Sequence, residues 1–349
     1  MKIAIFSLSH LSINRGSEKW IIKVVPYLSK KHDVRVITTD FNKKYDLNNL
    51  NFDYIVLKYK KKYGLLHDIS EIKNYLKDTD ITYVFYIGFG TQIDILKYSK
   101  KVIFGHHSPL DKPIQRIYYS ILENIIARKI KYSYHHFLTK YRANIYRKRG
   151  FKNIFVIPNF IELDKYKPKE KSYDKFKIIC PGAVSIEKGI DTLIKVAEIL
   201  KKYSDIEFYI TGNKPIYENL PANVKYLGML NEDEYIDVIS EKNLIFLPTR
   251  HETFSFSVLE NLAVGNPVVV SNLPDVISAF GESESIYYAK LNNIKDYING
   301  ILKYYQIWKN NKDKYEELSK KAREIASKFD SNIILPKIEE MFKKVYESS

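Results

Sequence analysis

Two glutamates stand eight positions apart in His251-Glu252-Thr253-Phe254-Ser255-Phe256-Ser257-Val258-Leu259-Glu260, separated by small and apolar residues. An ionised carboxylate only accepts hydrogen bonds, so Glu252 and Glu260 suit hydroxyl donors such as a sugar or a ribose. Upstream, Pro181-Gly182-Ala183-Val184-Ser185-Ile186-Glu187-Lys188-Gly189 brings glycines and a lysine to what reads as a helix start. Glycines let a backbone approach a ligand closely, and Lys188 adds to the positive field of the helix N-terminus. That combination suits a diphosphate. Thr211-Gly212-Asn213-Lys214-Pro215 is a second tight, polar loop. Asp78-Thr79-Asp80 has the spacing of a metal site, but it lies between a helical stretch and a strand start, the context of a polar turn.

These residues need elements to hold them. The glutamate segment follows an apolar strand candidate, Asn243-Leu244-Ile245-Phe246-Leu247-Pro248-Thr249, and precedes Leu262-Ala263-Val264-Gly265-Asn266-Pro267 and a second strand, 268–271. Strand, loop, short helix, glycine stop and strand make one α/β unit. Glu252 then falls at the carboxyl end of a strand, where such units bind ligands, and Glu260 falls one to two turns into the helix. Further strands read at 177–180, 207–211 and 224–227, with helices at 190–202 and 232–240. The first half shows the same alternation. Its strands read at 3–8, 33–38, 52–57, 82–87, 102–104, 136–138 and 153–157, with a helix at 18–29. Short continuous apolar strands separated by helices imply parallel sheets covered on both faces. The expected fold is α/β, with two doubly wound, Rossmann-like domains facing across a cleft. The domains are expected at 1–162 and 163–332, with a polar link over 158–173. Amphipathic helices read at 312–328 and 335–346, and a terminal helix of about 333–349 is expected to pack back on the first domain.

A chain of 349 residues suits two domains. Its single cysteine, Cys180, allows no internal disulfide and fits a reducing compartment. No run of eighteen apolar residues predicts a spanning helix, and the first residues read as a buried strand rather than a signal peptide. The charge is uneven: residues 1–160 hold 29 Lys+Arg and 12 Asp+Glu, a net of +17, and the rest hold 27 and 29, a net of −2. Over 111–152 there are eleven Lys+Arg against two Asp+Glu, interleaved with tyrosines and isoleucines. Such a surface suits an anionic membrane or a phosphate-bearing acceptor. The expected location is cytoplasmic, peripheral on the inner face of the cell membrane.

Order and spacing over 178–277 resemble glycosyltransferase family 4, the retaining nucleotide-sugar enzymes of the GT-B fold. The resemblance rests on Gly182 with Glu187-Lys188-Gly189, Thr211-Gly212, the stretch 223–228, Pro248-Thr249-Arg250-His251-Glu252, and Glu260 through Pro267-Val268-Val269. Weaker matches are Asn14-Arg15-Gly16-Ser17-Glu18, His106-His107-Ser108 and Ile157-Pro158-Asn159-Phe160-Ile161-Glu162. The resemblance implies an acceptor-binding first domain and a donor-binding second domain. Glu260 would bind the ribose hydroxyls. Glu252 would contact the donor sugar, helped by backbone amides of Phe254, Ser255, Phe256 and Ser257. Lys188 would bind the diphosphate beside Gly182 and Gly212, and would stabilise the leaving group. Gly16 would let the first domain approach the donor, and His107, or alternatively His106, would contact the sugar near its anomeric centre. His135 and His136 read as a strand start without a catalytic role. The implied donor is a UDP- or GDP-sugar, the acceptor a lipid-linked glycan or another hydroxyl. Neither a cofactor nor a metal is implied, and nucleic acid is not an expected partner.

The chain departs from that family at three places. Ala183 replaces the usual Arg after the first glycine, so one cation on the diphosphate is missing unless Arg250 or Lys214 takes its part. Ser255 stands for a usual Gly, and Arg15-Gly16-Ser17 for a Gly-Gly loop. Two other readings stay open: a non-catalytic binder of anionic membrane or nucleic acid on the same scaffold, and a nucleotide-sugar epimerase.

Overall fold

The computed structural model describes residues 1–13, 16–44, 50–62, 66–68, 70–85, 95–107, 128, 130–182, 184–217 and 219–348. They divide into two compact units, Met1–Asn159 with Ile334–Ser349, and Phe160–Ile333.

In the first unit, strands β1 (Lys2–Phe6), β2 (Asp33–Thr39) and β3 (Tyr54–Leu57) are followed by a short antiparallel pair, β4 (Lys60–Lys62) and β5 (Leu66–Asp68). Then come β6 (Ile81–Phe85), β7 (Lys101–His106), β8 (Tyr134–Phe137) and β9 (Asn153–Val156). Among the described residues the main sheet has the order β3-β2-β1-β6-β7-β8-β9, parallel at every pairing. Ile3, Ala4, Ile5 and Phe6 are all buried, as a strand covered on both faces requires. Helix Gly16–Leu28 buries Trp20, Ile21, Val24, Val25 and Leu28, which fall on one face of a 3.6-residue period. The last helix, Ser331–Glu347, belongs to this unit from Ile334 onward. There Glu339 accepts from Tyr27 at 3.2 Å and pairs with Lys31 at 3.1 Å.

The second unit holds β10 (Phe176–Pro181), β11 (Ile206–Thr211), β12 (Val224–Tyr226), β13 (Leu244–Leu247), β14 (Val268–Ser271) and β15 (Ile286–Ala289), in the order β12-β11-β10-β13-β14-β15, all parallel. Helix Ile190–Leu200 buries Ile190, Leu193, Val196, Ala197 and Leu200 in the core. Each large aliphatic side chain buried in this way contributes roughly 1.5–3 kcal/mol. The strand order reverses between β10 and β13, the point where ligands of doubly wound sheets bind.

The sequence did not reveal β15 or the helices Pro274–Phe280 and Ile294–Asn310. Gly300 obscures the longer helix, since glycine weakens a helical pattern. Here it serves packing: a Cβ on Gly300 would lie 2.6 Å from the Tyr287 ring of β15. The strand expected at 82–87 is described as Ile81–Phe85, and residues 86–87 lie outside the described residues. Asp78-Thr79-Asp80 does form a turn. Thr79 N–H donates to Leu76 O at 3.1 Å, and Asp80 accepts from Lys2 N–H at 2.8 Å. This places it at the amino edge of the sheet, opposite the ends where ligands bind.

Candidate functional site

Three loops leave the carboxyl ends of β10, β11 and β13, and contacts tie them together. Gly182 N–H donates to Thr211 O at 2.9 Å, and a Cβ on Gly212 would lie 3.4 Å from the Gly182 Cα. Both glycines have positive φ, 64° and 121°, which side chains disfavour. Around Gly182 a Cβ would meet nothing within 4 Å, so the backbone conformation rather than crowding requires glycine there. The loop after β13 is joined to the 187–189 loop twice. Arg250 N–H donates to Glu187 O at 3.0 Å, and Gly189 packs so closely that a Cβ would lie 2.2 Å from Pro248 O.

Across this junction Lys188 Nζ donates to Glu252 Oε1 at 2.7 Å, with the lysine side chain 40% and the glutamate 14% exposed. Lys188 and Glu252, 64 positions apart in sequence, thus share one charged spot at the sheet's carboxyl edge. Arg250 does not add a cation to that spot. Its two terminal nitrogens bind Asp191 at 2.9 and 2.8 Å, and one also meets Ile186 O. The Arg250 guanidinium beside Asp191 holds that carboxyl below the usual range. Arg250 is therefore a staple between loops, not a substitute for the arginine absent at position 183; Ala183 itself lies outside the described residues.

Helix Phe256–Ala263 starts just beyond Glu252. Ser255 is its N-cap, and its side chain accepts from Val258 N–H at 3.3 Å. Phe256 and Ser257, in the first turn, are half-buried. The Phe254 side chain belongs to an apolar cluster, 5.2 Å from the Phe280 ring and 5.6 Å from that of Phe329. Glu260 is only 3% exposed, and Tyr166 donates to its Oε1 at 3.4 Å. Burial, followed by the nearby Glu260 charge, pushes the Tyr166 phenol far up, so it stays a donor. Sequence spacing gave no sign of Tyr166, which lies 94 residues from Glu260. Asp191 was equally silent as the partner of Arg250.

In the first unit the adjacent histidines separate, as successive positions leaving a strand do. His106 turns into the core, where it stacks on Phe137 at 4.1 Å and meets His135 at 3.0 Å. His107 Nε2 meets the Tyr83 hydroxyl at 2.7 Å beyond the carboxyl end of β7. Gly16 opens helix Gly16–Leu28; Asn14, Arg15 and Ser108 lie outside the described residues.

Residues 163–325 match the family model for glycosyl transferases group 1. The second unit carries a group 1 pattern. That match contains Lys188, Glu252, Glu260 and both glycine turns. Among curated proteins, an uncharacterized 41.2 kDa protein in the cps region of Klebsiella pneumoniae is 28% identical over 46% of this chain and 49% of its own length. The N,N'-diacetylbacillosaminyl-diphospho-undecaprenol alpha-1,3-N-acetylgalactosaminyltransferase of Campylobacter jejuni is 25% identical over 55% of this chain and 51% of its own. The chain thus matches about half the length of these two relatives. Anabaena Alr3699/HepE, solved in complex with UDP and glucose, superposes with a TM-score of 0.78 at 14% identity, covering 98% of this chain and 99% of that one. With its group 1 stretch on the second of two doubly wound units, the chain has the GT-B fold.

Proposed function

We propose that the protein is a retaining glycosyltransferase of the family 4 type, moving a sugar from a UDP- or GDP-sugar to a hydroxyl of a lipid-linked glycan. The observation that carries this reading is the Lys188–Glu252 pair at 2.7 Å beside the left-handed turns of Gly182 and Gly212, inside the stretch that matches the group 1 model. An ammonium has three donors. One is held by Glu252, and the others suit diphosphate oxygens, where they would stabilise the leaving group as its charge grows. Glu252 would accept from sugar hydroxyls. The half-buried start of helix Phe256–Ala263 supplies amides and a positive field to the same ligand. Glu260, a buried acidic side chain that accepts from Tyr166, would hold the ribose diol.

Transfer with retention would proceed on one face of the sugar. The bond from the anomeric carbon to the diphosphate oxygen breaks, the acceptor oxygen bonds to that carbon from the same side, and its proton passes to the departing phosphate. In this scheme neither glutamate forms a covalent bond, and Lys188 supplies the positive charge without a metal ion. His107 would contact the sugar from the first unit. Support for a lipid-linked acceptor comes from the Campylobacter relative, whose name includes a diphospho-undecaprenol substrate. It also comes from the basic helix Lys140–Lys148 with exposed Tyr132 and Tyr141 nearby. No helix among the described residues is long and apolar enough to cross a membrane, and we infer peripheral attachment to an anionic cytoplasmic surface.

Melting the protein against a panel of UDP- and GDP-sugars tests the reading. A donor at a hundred times its Kd raises stability by about 2.7 kcal/mol if it binds only the folded chain. The Glu260→Gln variant should lose most of that shift. A panel in which no nucleotide sugar moves the melting temperature of the native protein would sink the proposal.

A further inference from the structure

The second unit has an open cavity of about 270 Å³ between the chain that enters β10 and helix Lys312–Ser327. That is just under the roughly 300–1,000 Å³ of small-molecule sites. Its walls are mainly apolar and include Pro168, Tyr173 and Tyr315. Tyr173 precedes β10, and the Tyr315 hydroxyl donates at 2.6 Å to O of Asn243, the residue before β13. The cavity therefore lies at the amino edge of the sheet, opposite the loops of Gly182, Gly212 and Glu252.

Cations collect around it without carboxylate partners. Lys312, Glu316, Lys320 and Arg323 line it from one face of their helix, at spacings of four, four and three residues. The other two lysines of that helix are paired: Lys314 lies 3.1 Å and Lys321 2.6 Å from Glu317. Among the described residues no ion pair engages Lys312, Lys320 or Arg323. Lys312 Nζ sits 5.0 Å from the centre of the Tyr173 ring, and one terminal nitrogen of Arg323 is spent on Tyr166 O and Ala263 O. From the opposite wall, Lys171 Nζ donates to Ser240 O at 2.7 Å and to Asn266 Oδ1 at 2.8 Å. Both partners are neutral, although Ser240 ends helix Glu232–Ser240 and so brings the negative end of a helix dipole. An ammonium has three donors, and the third meets no protein acceptor among the described residues. Burial, then the neighbouring Lys242, lowers Lys171 to about 7 against the pull of Glu241. A desolvated ammonium beside other unpaired cations marks a place where negative charge is missing.

The size of the missing charge can be read. Five basic and two acidic residues line the cavity. Lys169 is one of the five, and Asp237 at 3.0 Å already neutralises it. Four cations then face Glu170 and Glu316, a surplus of two (4 − 2). That surplus matches a phosphate dianion and not a polyanion. We propose that this cavity binds a small soluble phosphate or phosphate monoester, whose oxygens take the third donor of Lys171 and the charges of Lys312 and Lys320. The inference goes beyond the transferase reading and is independent of it, since the cavity shares no residue with the donor loops.

The test is 13C NMR of the full-length protein labelled at lysine Cε, with Lys171 assigned by its loss in Lys171→Met. Sulfate is titrated first, because its charge is constant near neutral pH, and chloride at matched ionic strength is the reference. Lys171 is expected to titrate near 7 in chloride and about one unit higher in saturating sulfate, which corresponds to about tenfold preference for the ammonium. Sulfate affinity should accordingly fall about tenfold as pH rises through 7. Lys312 and Lys320 are exposed, and Lys312→Ala and Lys320→Ala should each weaken sulfate by about threefold. Lys188→Ala, at the other edge of the sheet, should leave the Lys171 response unchanged. An equal Lys171 shift in sulfate and chloride overturns the site, as does a response that Lys312→Ala and Lys320→Ala both keep in full. These surface variants keep the test decisive should Lys171→Met fail to fold, because Lys171 is then recognised by its titration near neutral pH. Inorganic phosphate should reproduce the sulfate shift. A response to phosphatidic acid vesicles without one to free phosphate overturns the soluble ligand.

Discussion

Glu260 and Lys188 differ in what their loss should do, because one is buried beside a phenol and the other stands in an ion pair open to solvent. If Glu260 holds a diol, Glu260→Ala removes charged hydrogen bonds worth roughly 1.5–3 kcal/mol each. Affinity for UDP or GDP is therefore expected to fall at least about tenfold, as calorimetry would show. If Lys188 serves the leaving group, as proposed, its contribution peaks with the charge of the transition state. Lys188→Ala is expected to slow turnover on the order of 10²–10³-fold while changing nucleotide affinity much less, a split that single-turnover kinetics resolves. An unchanged rate in Lys188→Ala would remove the lysine from the mechanism.

The elements that carry these residues are held by local rules with separate tests. Gly189 combines a φ of 83° with a backbone carbonyl 2.2 Å from its would-be Cβ. Gly189→Ala strains the turn by roughly 1–3 kcal/mol before the clash is counted. It should lower Tm by several degrees and loosen the Lys188–Glu252 junction. Ser255 caps helix Phe256–Ala263. Ser255→Ala should cost about 1 kcal/mol, or roughly 2–4 °C in Tm, while Ser255→Gly should cost only a few tenths. Equal losses from the two variants would mean that the hydroxyl does not cap. Asp191 with Arg250 is the third such device. Arg250→Lys keeps the charge but loses the bidentate geometry, so it should loosen the 186–191 loop without adding a cation to the site.

At the scale of the molecule, charge and protons separate the two units. The net charge of +17 over residues 1–160 against −2 over the remainder predicts that vesicles rich in anionic phospholipid bind through the first unit. Binding should decline steeply as salt rises and should be absent on neutral vesicles. The first unit also contains His135 and His136, both lowered to about 4 by burial. Above pH 6.5 neither the folded nor the unfolded chain protonates them. Between 6.5 and about 4 only the unfolded chain takes up protons, so folded stability falls as pH drops through that window. The loss approaches about 3 kcal/mol per histidine at the acid end. Melting curves between pH 7 and 4.5 check the slope, and NMR titration should find both rings silent down to about pH 5.

Alternating apolar strands and helices, written locally in residues such as 3–6, 178–180 and 268–270, determined two parallel-sheet halves from sequence alone, because burial on both faces demands continuous apolar runs. The paired glutamates and glycine loops were also legible, since chemistry of that kind is confined to strand ends. Pairing was not. Only the tertiary structure decided that Lys188 meets Glu252, that Arg250 is committed to Asp191 and that Tyr166 reaches Glu260. The same holds for His107 and His106: adjacent in sequence, they part because successive side chains take opposite faces, and Gly105 then lets Tyr83 pass to one of them. Local periodicity records which face a residue occupies, while contacts across strands depend on sheet order and register, which no short stretch of sequence contains.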